Sequence, residues 1–265
     1  MTGDGHRLVL FPGAGSFGSE FQPLRAAAGP DTRMMRYPGR SEDPADAVSF
    51  ATVVAACHGQ IARLPAGPPP VLLGHSYGAY LAYATALSLH RRSLEVALLV
   101  VVGASAPDLA RVPAEVTASA EAALDYLDAA DPGQLAAAAP EWREAVAETA
   151  LADLRVLAEM DVPSPPDRVP CSVLALRGAR DPLTSDASVE AWRRFSDGDV
   201  VRHTFAGGHS QLLGDPGCVG LVHDRLAPGG GRHAPGRPPR RASPGPVTAR
   251  RFGAARDGGA STLGP

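Results

Sequence analysis

The sequence predicts an α/β fold in which a mostly parallel sheet carries helices on both faces. Short, almost wholly apolar runs alternate along the chain with segments of helical pattern. This alternation is typical of parallel strands that are buried on both faces and joined by crossover helices. Glycine-rich turns follow several of the apolar runs. With 265 residues, 45% of them hydrophobic, the chain is long and apolar enough to bury a full core.

The order of the elements follows from these runs. Strands are predicted near residues 7–11, 32–36, 70–74, 96–102, 171–176 and 200–205. Helices are predicted near residues 48–64, 77–90, 186–195 and 211–226. The helices connect or close the strands, as a parallel sheet requires.

Residues 105–170 have no strand pattern, and we expect them to form a helical lid inserted into the sheet domain. Prolines divide this segment into helical runs at 112–129, 132–138 and 141–160. Six apolar side chains would either pack on the domain or line a substrate channel. They are Leu124, Leu127, Leu135, Val146, Leu151 and Leu154.

A Gly-x-Ser-x-Gly motif stands between the third predicted strand and the helix after it. Residues 74–78 read Gly-His-Ser-Tyr-Gly. In this context the motif predicts a nucleophile elbow, a strained turn that lifts a serine hydroxyl off the sheet, with flanking glycines that let strand and helix approach closely. Ser76 is therefore the candidate nucleophile. His75 is expected to point away from the reacting face and to have a structural role.

Candidates for a general base and its carboxylate partner follow in the chain order Ser, Asp, His, which is that of a hydrolase triad. Asp181 lies in the turn after the fifth predicted strand, and His209 follows the sixth strand after Ala-Gly-Gly. Ligands of open α/β sheets bind beyond the carboxyl ends of the strands. We therefore expect Ser76, Asp181 and His209 to meet at that edge.

The turn after the first predicted strand is a candidate for part of an oxyanion hole. Residues 12–16 read Pro-Gly-Ala-Gly-Ser, and small residues here would let backbone N–H groups face a reacting carbonyl. Ala14 N–H and Tyr77 N–H are the candidate donors, each typically worth about 3 kcal/mol of transition-state stabilisation. The alternative for this segment is an ordinary tight turn.

Taken together, these motifs resemble the type II thioesterases, the stand-alone editing hydrolases of polyketide and non-ribosomal peptide synthases. The likeness spans residues 6 to about 226. It is carried by residues 11–16, 37–40, 74–78, 106–107, 152–154, 178–183 and 206–209. Relatives fused to the synthases often carry the triad acid after the strand next to the nucleophile strand. Only Asp108 lies there in this chain, so the resemblance favours Asp181 and the stand-alone subfamily.

The resemblance implies an α/β-hydrolase fold and a serine thioesterase that frees acyl groups from the phosphopantetheine arm of an acyl carrier protein or peptidyl carrier protein. Two alternatives stay open. The same triad could cleave small carboxylic esters, or the chain could be a catalytically idle scaffold that binds an acyl ligand. Neither a metal nor another cofactor is predicted, because the remaining histidines have no partners at metal-ligand spacing.

Two departures from the family pattern and the charge of the lid leave questions that the resemblance does not answer. Ser210 follows the candidate base where the family usually has an aromatic residue, which puts the local packing in question. Tyr77 replaces a common methionine and should alter the shape of the pocket. The acid-rich lid would repel an acidic carrier protein, so docking would depend on arginines elsewhere, such as Arg36, Arg40 and Arg180.

Composition limits the remaining possibilities. The net charge of −3 gives no reason to expect nucleic acid as a partner. The three cysteines, Cys57, Cys171 and Cys218, are expected to be reduced core residues. We find no signal-peptide profile at the start and no apolar stretch near the roughly 18 residues of a membrane span, so a cytoplasmic monomer is expected.

The composition changes abruptly near the C-terminus. Residues 227–265 are rich in proline, glycine and arginine and cannot bury enough apolar surface to fold. We therefore expect a hydrolase domain over residues 1–226 and a disordered tail after it. A basic arm for an acidic partner is the alternative for the tail.

Overall fold

The computed structural model describes residues 5–40 and 48–227. Within these ranges the strands form one sheet, in the order β2-β1-β3-β4-β5-β6, and all neighbours are parallel. The strands are β1 (Leu8–Phe11), β2 (Arg33–Met34), β3 (Val71–His75), β4 (Leu98–Val102), β5 (Ser172–Gly178) and β6 (Val200–Phe205). The predicted strands are thus confirmed, with slightly shifted ends.

The α-helices of the described residues are α1 (Gln22–Ala28), α2 (Phe50–Ala62), α3 (Tyr77–His90), α4 (Ala120–Ala130), α5 (Pro140–Ala158), α6 (Asp186–Glu190) and α7 (Pro216–Asp224). Helix α1 was not predicted. The single helix predicted over 211–226 is wrong, because Asp215 accepts hydrogen bonds from the N–H groups of Gly217 and Cys218 and so starts a new helix. A short 3-10 helix, Gln211–Gly214, precedes it.

The sheet is buried on both faces. Successive side chains of β1 alternate between two apolar clusters: Val9 and Phe11 pack on the side of α2 and α3, and Leu8 and Leu10 pack on the side of α1 and α7. This explains why the strand sequences are almost continuously apolar. The prediction of helices on both faces of a parallel sheet is confirmed.

The insertion between β4 and β5 contains α4 and α5, but the helix predicted over 132–138 is wrong. These residues form successive turns, in which Gln134 N–H donates to Asp131 C=O and Ala136 N–H donates to Gly133 C=O. Gly133 has a φ of 82°, a left-handed conformation that interrupts a helix. The prolines and glycine outweigh the helical propensity of the neighbouring alanines.

The first helix of the insertion is shorter than the predicted run over 112–129. Ser119 caps α4 by accepting a hydrogen bond from Ala122 N–H, so the α-helix begins only there. A 3-10 turn, Ala114–Thr117, precedes it. The serine is a better helix start than the proline-containing segment before it.

The described residues do not extend into most of the predicted tail. Residues 228–265 of the predicted disordered segment lie outside them, so the domain boundary near residue 226 stays a prediction. In the part of the chain that the structure describes, we find no helix that is both long and apolar enough to cross a membrane.

Candidate active site

Ser76 occupies the turn between β3 and α3. Its φ of 52° and ψ of −121° are strained for a residue other than glycine. A Cβ atom at Gly74 would lie 2.2 Å from the carbonyl oxygen of Gly78, and one at Gly78 would lie 2.0 Å from that of Phe11. Both positions therefore need glycine, for the reason that the motif suggested.

Asp181 and His209 follow β5 and β6, and both side chains are almost fully buried. His209 Nδ1 lies 3.1 Å from Asp181 Oδ1, although the N–H is not well aligned on that oxygen. Catalytic hydrogen bonds often align only in the substrate complex. The structure thus brings the candidate base and the candidate acid into direct contact.

Two further groups hold Asp181. Leu183 N–H donates to its Oδ1 at 2.8 Å, and the Thr184 hydroxyl donates to its Oδ2 at 2.7 Å. Burial raises the pKa of Asp181, but its interaction with the nearby His209 and the hydrogen bonds from Thr184 and Leu183 lower it, and the result lies below the ordinary value. The carboxylate is therefore ionised at neutral pH. Sequence reasoning missed Thr184, although an Asp-Pro-Leu-Thr turn was a usable signal.

The alternative acid, Asp108, is engaged elsewhere. Its Oδ2 lies 2.5 Å from Arg194 Nη2, and both side chains are substantially exposed to solvent. Thus Asp181, not Asp108, contacts the histidine.

His75 is not directed away from the site, and that expectation was wrong. Its ring centroid is 4.9 Å from that of His209, and its Nε2 lies 3.3 Å from the His209 carbonyl oxygen. Burial, together with the neighbouring His209, lowers the pKa of His75 to about 3. His75 is therefore a neutral side chain that packs beneath the candidate base.

The loop after His209 is held by the insertion. Asp131, at the end of α4, accepts a hydrogen bond from Ser210 N–H at 3.1 Å. Leu212 and Leu213 are almost completely buried. The serine that departs from the family pattern therefore leaves the local packing intact, and Asp131 is a contact that the sequence did not reveal.

The candidate oxyanion donors belong to residues that border Ser76 in sequence or in the cavity. Tyr77 is the first residue of α3, so its N–H has no acceptor within the helix. Ala14, in the turn after β1, lines the same cavity as Ser76 and His209. The two N–H groups thus belong to residues that border the site.

Arg40 is not a surface docking residue, and that expectation was wrong. Its side chain is only 11% exposed and forms an ion pair with Asp153 of α5, with Nη2 and Oδ2 2.6 Å apart. The family-like segment 37–40 therefore packs against the turn after β1, where Tyr37 and Arg40 donate to the carbonyl oxygens of Pro12 and Gly13. Arg36 and Arg180 are exposed.

Two cavities meet at Ser76. The larger has a volume of about 310 Å³ and extends towards Tyr80, Val112 and Leu157. The smaller, of about 80 Å³, is bordered by more polar residues, including Glu20. Both cavities share the lining residues Ala14, Ser76, Leu127, Ala130 and His209.

The apolar side chains of the insertion both pack and line these cavities. Leu127 borders both cavities, and Leu154 borders the larger one. Leu135 and Val146 border the smaller one. Leu151 packs in the small apolar cluster between α4 and α5, whereas Leu124 is partly buried and borders neither of these two cavities. The two alternatives left open by the sequence are thus both realised.

Comparison with known proteins places these features in a family. The family model for the thioesterase domain matches residues 6–226. The chain is 30% identical over 241 residues to a probable cadicidin biosynthesis thioesterase from Streptomyces griseus, an alignment that covers 85% of this chain and 65% of that protein. It is 30% identical over 214 residues to thioesterase PikA5 from Streptomyces venezuelae, covering 78% of this chain and 75% of that protein.

Solved structures agree with this assignment. RedJ, a thioesterase from the prodiginine biosynthetic pathway in Streptomyces coelicolor, has a TM-score of 0.71 and 28% identity, covering 83% of this chain and 85% of RedJ. BorB, a type II thioesterase from the borrelidin biosynthetic cluster, has a TM-score of 0.69 and 28% identity, covering 83% of this chain and 91% of BorB. The resemblance drawn from the motifs is confirmed, and the chain belongs to the thioesterase family with an α/β-hydrolase fold.

Proposed function

We propose that this protein hydrolyses acyl thioesters on the phosphopantetheine arm of acyl or peptidyl carrier proteins, and so edits or releases acyl groups in polyketide or non-ribosomal peptide biosynthesis. The observation that carries this proposal is that Asp181 and His209 are in contact, while Ser76 and His209 border the same two cavities at the carboxyl edge of the sheet. Membership of the thioesterase family supports the substrate class. The biosynthetic roles named for the cadicidin, prodiginine and borrelidin relatives support the pathway class.

The reaction would proceed in two steps. Ser76 Oγ attacks the thioester carbonyl while His209 accepts its proton; the carbon–sulfur bond then breaks, and His209 returns the proton to the pantetheine thiolate. In the second step His209 takes a proton from water as the water attacks the acyl-serine carbonyl; the bond between Ser76 Oγ and the acyl carbon then breaks, and His209 returns the proton to Ser76 Oγ as the carboxylic acid leaves. Asp181 stabilises the imidazolium that forms in both steps.

The oxyanion of each tetrahedral intermediate would accept hydrogen bonds from Ala14 N–H and Tyr77 N–H. Fixed backbone donors at this position cost no reorganisation during the reaction. The turn after β1 and the start of α3 would provide these two donors.

The two cavities would divide the substrate between them. The larger, about 310 Å³ in volume, is at the lower end of the roughly 300–1,000 Å³ range of ligand pockets and is lined by apolar and aromatic side chains suited to an acyl group. The smaller cavity has polar side chains at its border, among them Ser16, Glu20 and Gln134, which would hydrogen-bond the amide groups of the pantetheine arm. Phe17 and Trp142, each 46% exposed with ring centroids 4.9 Å apart, lie at its border.

The protein is further proposed to work as a monomer in the cytoplasm. Its buried free thiols, Cys57, Cys171 and Cys218, are typical of a reducing compartment. Sedimentation equilibrium of the full chain at micromolar concentration would test the monomer.

A rate comparison tests the function. Initial rates would be measured on an acyl-carrier protein, the same acyl group on coenzyme A, and an aryl ester of the same acid, with Ser76→Ala as the control. We expect the highest kcat/KM on the carrier-bound thioester. Efficient cleavage of the aryl ester without thioester turnover would instead indicate a carboxylesterase. Acyl binding without any turnover would indicate an idle scaffold.

A further inference from the structure

Arg40 and Asp153 form a two-pronged contact between the turn after β2 and helix α5. Arg40 Nη2 lies 2.6 Å from Asp153 Oδ2, and Arg40 Nε lies 3.1 Å from Asp153 Oδ1. Their side chains are 11% and 5% exposed. Bidentate pairs of this kind fix orientation as well as contributing energy.

Both groups carry their charge. Burial lowers the pKa of Arg40, but the Asp153 carboxylate raises it, and the result lies above the ordinary value. Burial raises the pKa of Asp153 above its ordinary value, although Arg40 and the N–H of Gly15 act in the opposite direction. Because three N–H donors converge on one carboxylate, we take the ionised pair as the resident state.

The same two side chains hold the peptide groups next to Ala14. Arg40 Nη2 donates to the carbonyl oxygen of Gly13 at 3.0 Å. Asp153 Oδ2 accepts a hydrogen bond from Gly15 N–H at 2.9 Å. The chain is thus held immediately before and immediately after the residue that carries the candidate oxyanion donor.

The carbonyl of Gly13 and the N–H of Ala14 belong to one planar peptide group. In a trans peptide these two bonds point in opposite directions. A guanidinium that fixes the carbonyl from one side therefore fixes the direction of the N–H on the other side. Its positive charge also polarises the peptide and makes the N–H a stronger donor.

We propose that Arg40 and Asp153 are positioning residues for the oxyanion hole. Because Asp153 belongs to α5, the direction of the Ala14 N–H would then depend on the position of that helix. This inference rests on the proposed function only in taking Ala14 N–H as an oxyanion donor. Stability alone is a weaker explanation for the pair, because apolar groups of similar volume often replace a buried ion pair without loss.

Three variants separate positioning from stability. Asp153→Asn keeps an acceptor for Gly15 N–H but removes the charge. The double variant Arg40→Met/Asp153→Leu removes both charges together, so that neither is left unpaired. Val156→Ala is the matched control, since Val156 is a buried residue of α5 that belongs to the core cluster beside α2 and α3.

The first readouts are kcat and KM on a thioester, with kcat expressed per active serine as determined by fluorophosphonate titration. The second readout is the inhibition constant of an acyl trifluoromethyl ketone, because the adduct of this ketone with the serine carries an oxyanion. Loss of one oxyanion donor typically costs about 10²- to 10³-fold in kcat, so misdirection should cost about 10-fold in Asp153→Asn and about 100-fold in the double variant. KM and the acid limb of the pH profile should not change. Inhibition by the ketone should weaken by the same factor as kcat, and Val156→Ala should alter only the melting temperature.

The result that would overturn the inference is a double variant with wild-type kcat and wild-type ketone inhibition. A raised KM at unchanged kcat would also overturn it, because the pair would then act in substrate binding. If the wild type hydrolyses no thioester, the proposed function fails, but the same comparison on an aryl ester still tests the positioning pair.

Discussion

The carboxyl edge of the sheet and the helical insertion contribute to the site in different ways. We propose that the edge provides the reacting side chains Ser76, Asp181 and His209, each of which follows the end of a strand. The insertion provides apolar side chains that border the cavities, and two buried carboxylates, Asp131 and Asp153, that bind loops of the edge. We infer from this difference that the edge holds the chemistry, whereas the insertion would determine which acyl group fits and how well the loops are aligned.

The largest expected effect is at the edge. Asp181→Asn should lower kcat by about 10⁴-fold with the fold intact, because an amide would favour the wrong tautomer of His209. Steady-state kinetics with circular dichroism would measure both quantities. Asp108→Asn is the matched control and should leave kcat unchanged, since Asp108 pairs with Arg194. If Asp108→Asn is the damaging change, the assignment of the acid is wrong.

A substitution in the insertion should change selectivity instead of chemistry. Val112→Phe reduces the larger cavity and should lower kcat/KM about 10-fold for a medium-length acyl thioester, while an acetyl thioester is hydrolysed normally. The matched control is Val54→Phe on α2, which borders a separate groove that does not include Ser76. Equal losses for short and medium acyl chains would show that the larger cavity does not hold the acyl group.

The smallest effect concerns the pH dependence of stability. The pKa of His75 is lowered to about 3 in the folded protein, whereas an unfolded histidine has a value of about 6.5. Between these values the unfolded chain binds the extra proton, so the contribution of His75 to stability is lost as the pH falls through this window. His75→Gln should therefore flatten the decline of the unfolding free energy between about pH 6.5 and pH 4.

Urea unfolding at several pH values in that window would measure this decline. In His75→Gln the acid limb of the plot of kcat/KM against pH should keep its position, because His75 of the folded protein does not titrate between pH 6.5 and pH 4. Identical slopes of unfolding free energy against pH for both proteins would contradict a neutral buried His75.

The residues of the sheet edge could be predicted because each carries its own turn chemistry. Ser76 is marked by two glycines that the close approach of strand and helix requires. Asp181 and His209 each follow an apolar strand and a short turn that contains small residues. Such signals are local in sequence, so they can be recognised without any knowledge of the tertiary structure.

The contacts made by the insertion could not be predicted in the same way. Asp153 and Arg40 are 113 positions apart, and nothing local marks either of them as buried. Residues 132–138 have alanines that favour a helix, but the left-handed Gly133 decides the backbone there. Long-range pairing and single turn residues therefore account for most of what the sequence did not predict.

Labelling with a fluorophosphonate, followed by peptide mapping, tests the central claim most directly, namely that the edge of the sheet presents Ser76 as the nucleophile. The account predicts one adduct per chain, located on Ser76, with thioester hydrolysis lost in proportion to labelling and no adduct in Ser76→Ala. An adduct on a different serine, or hydrolysis that persists after complete labelling of Ser76, would contradict it.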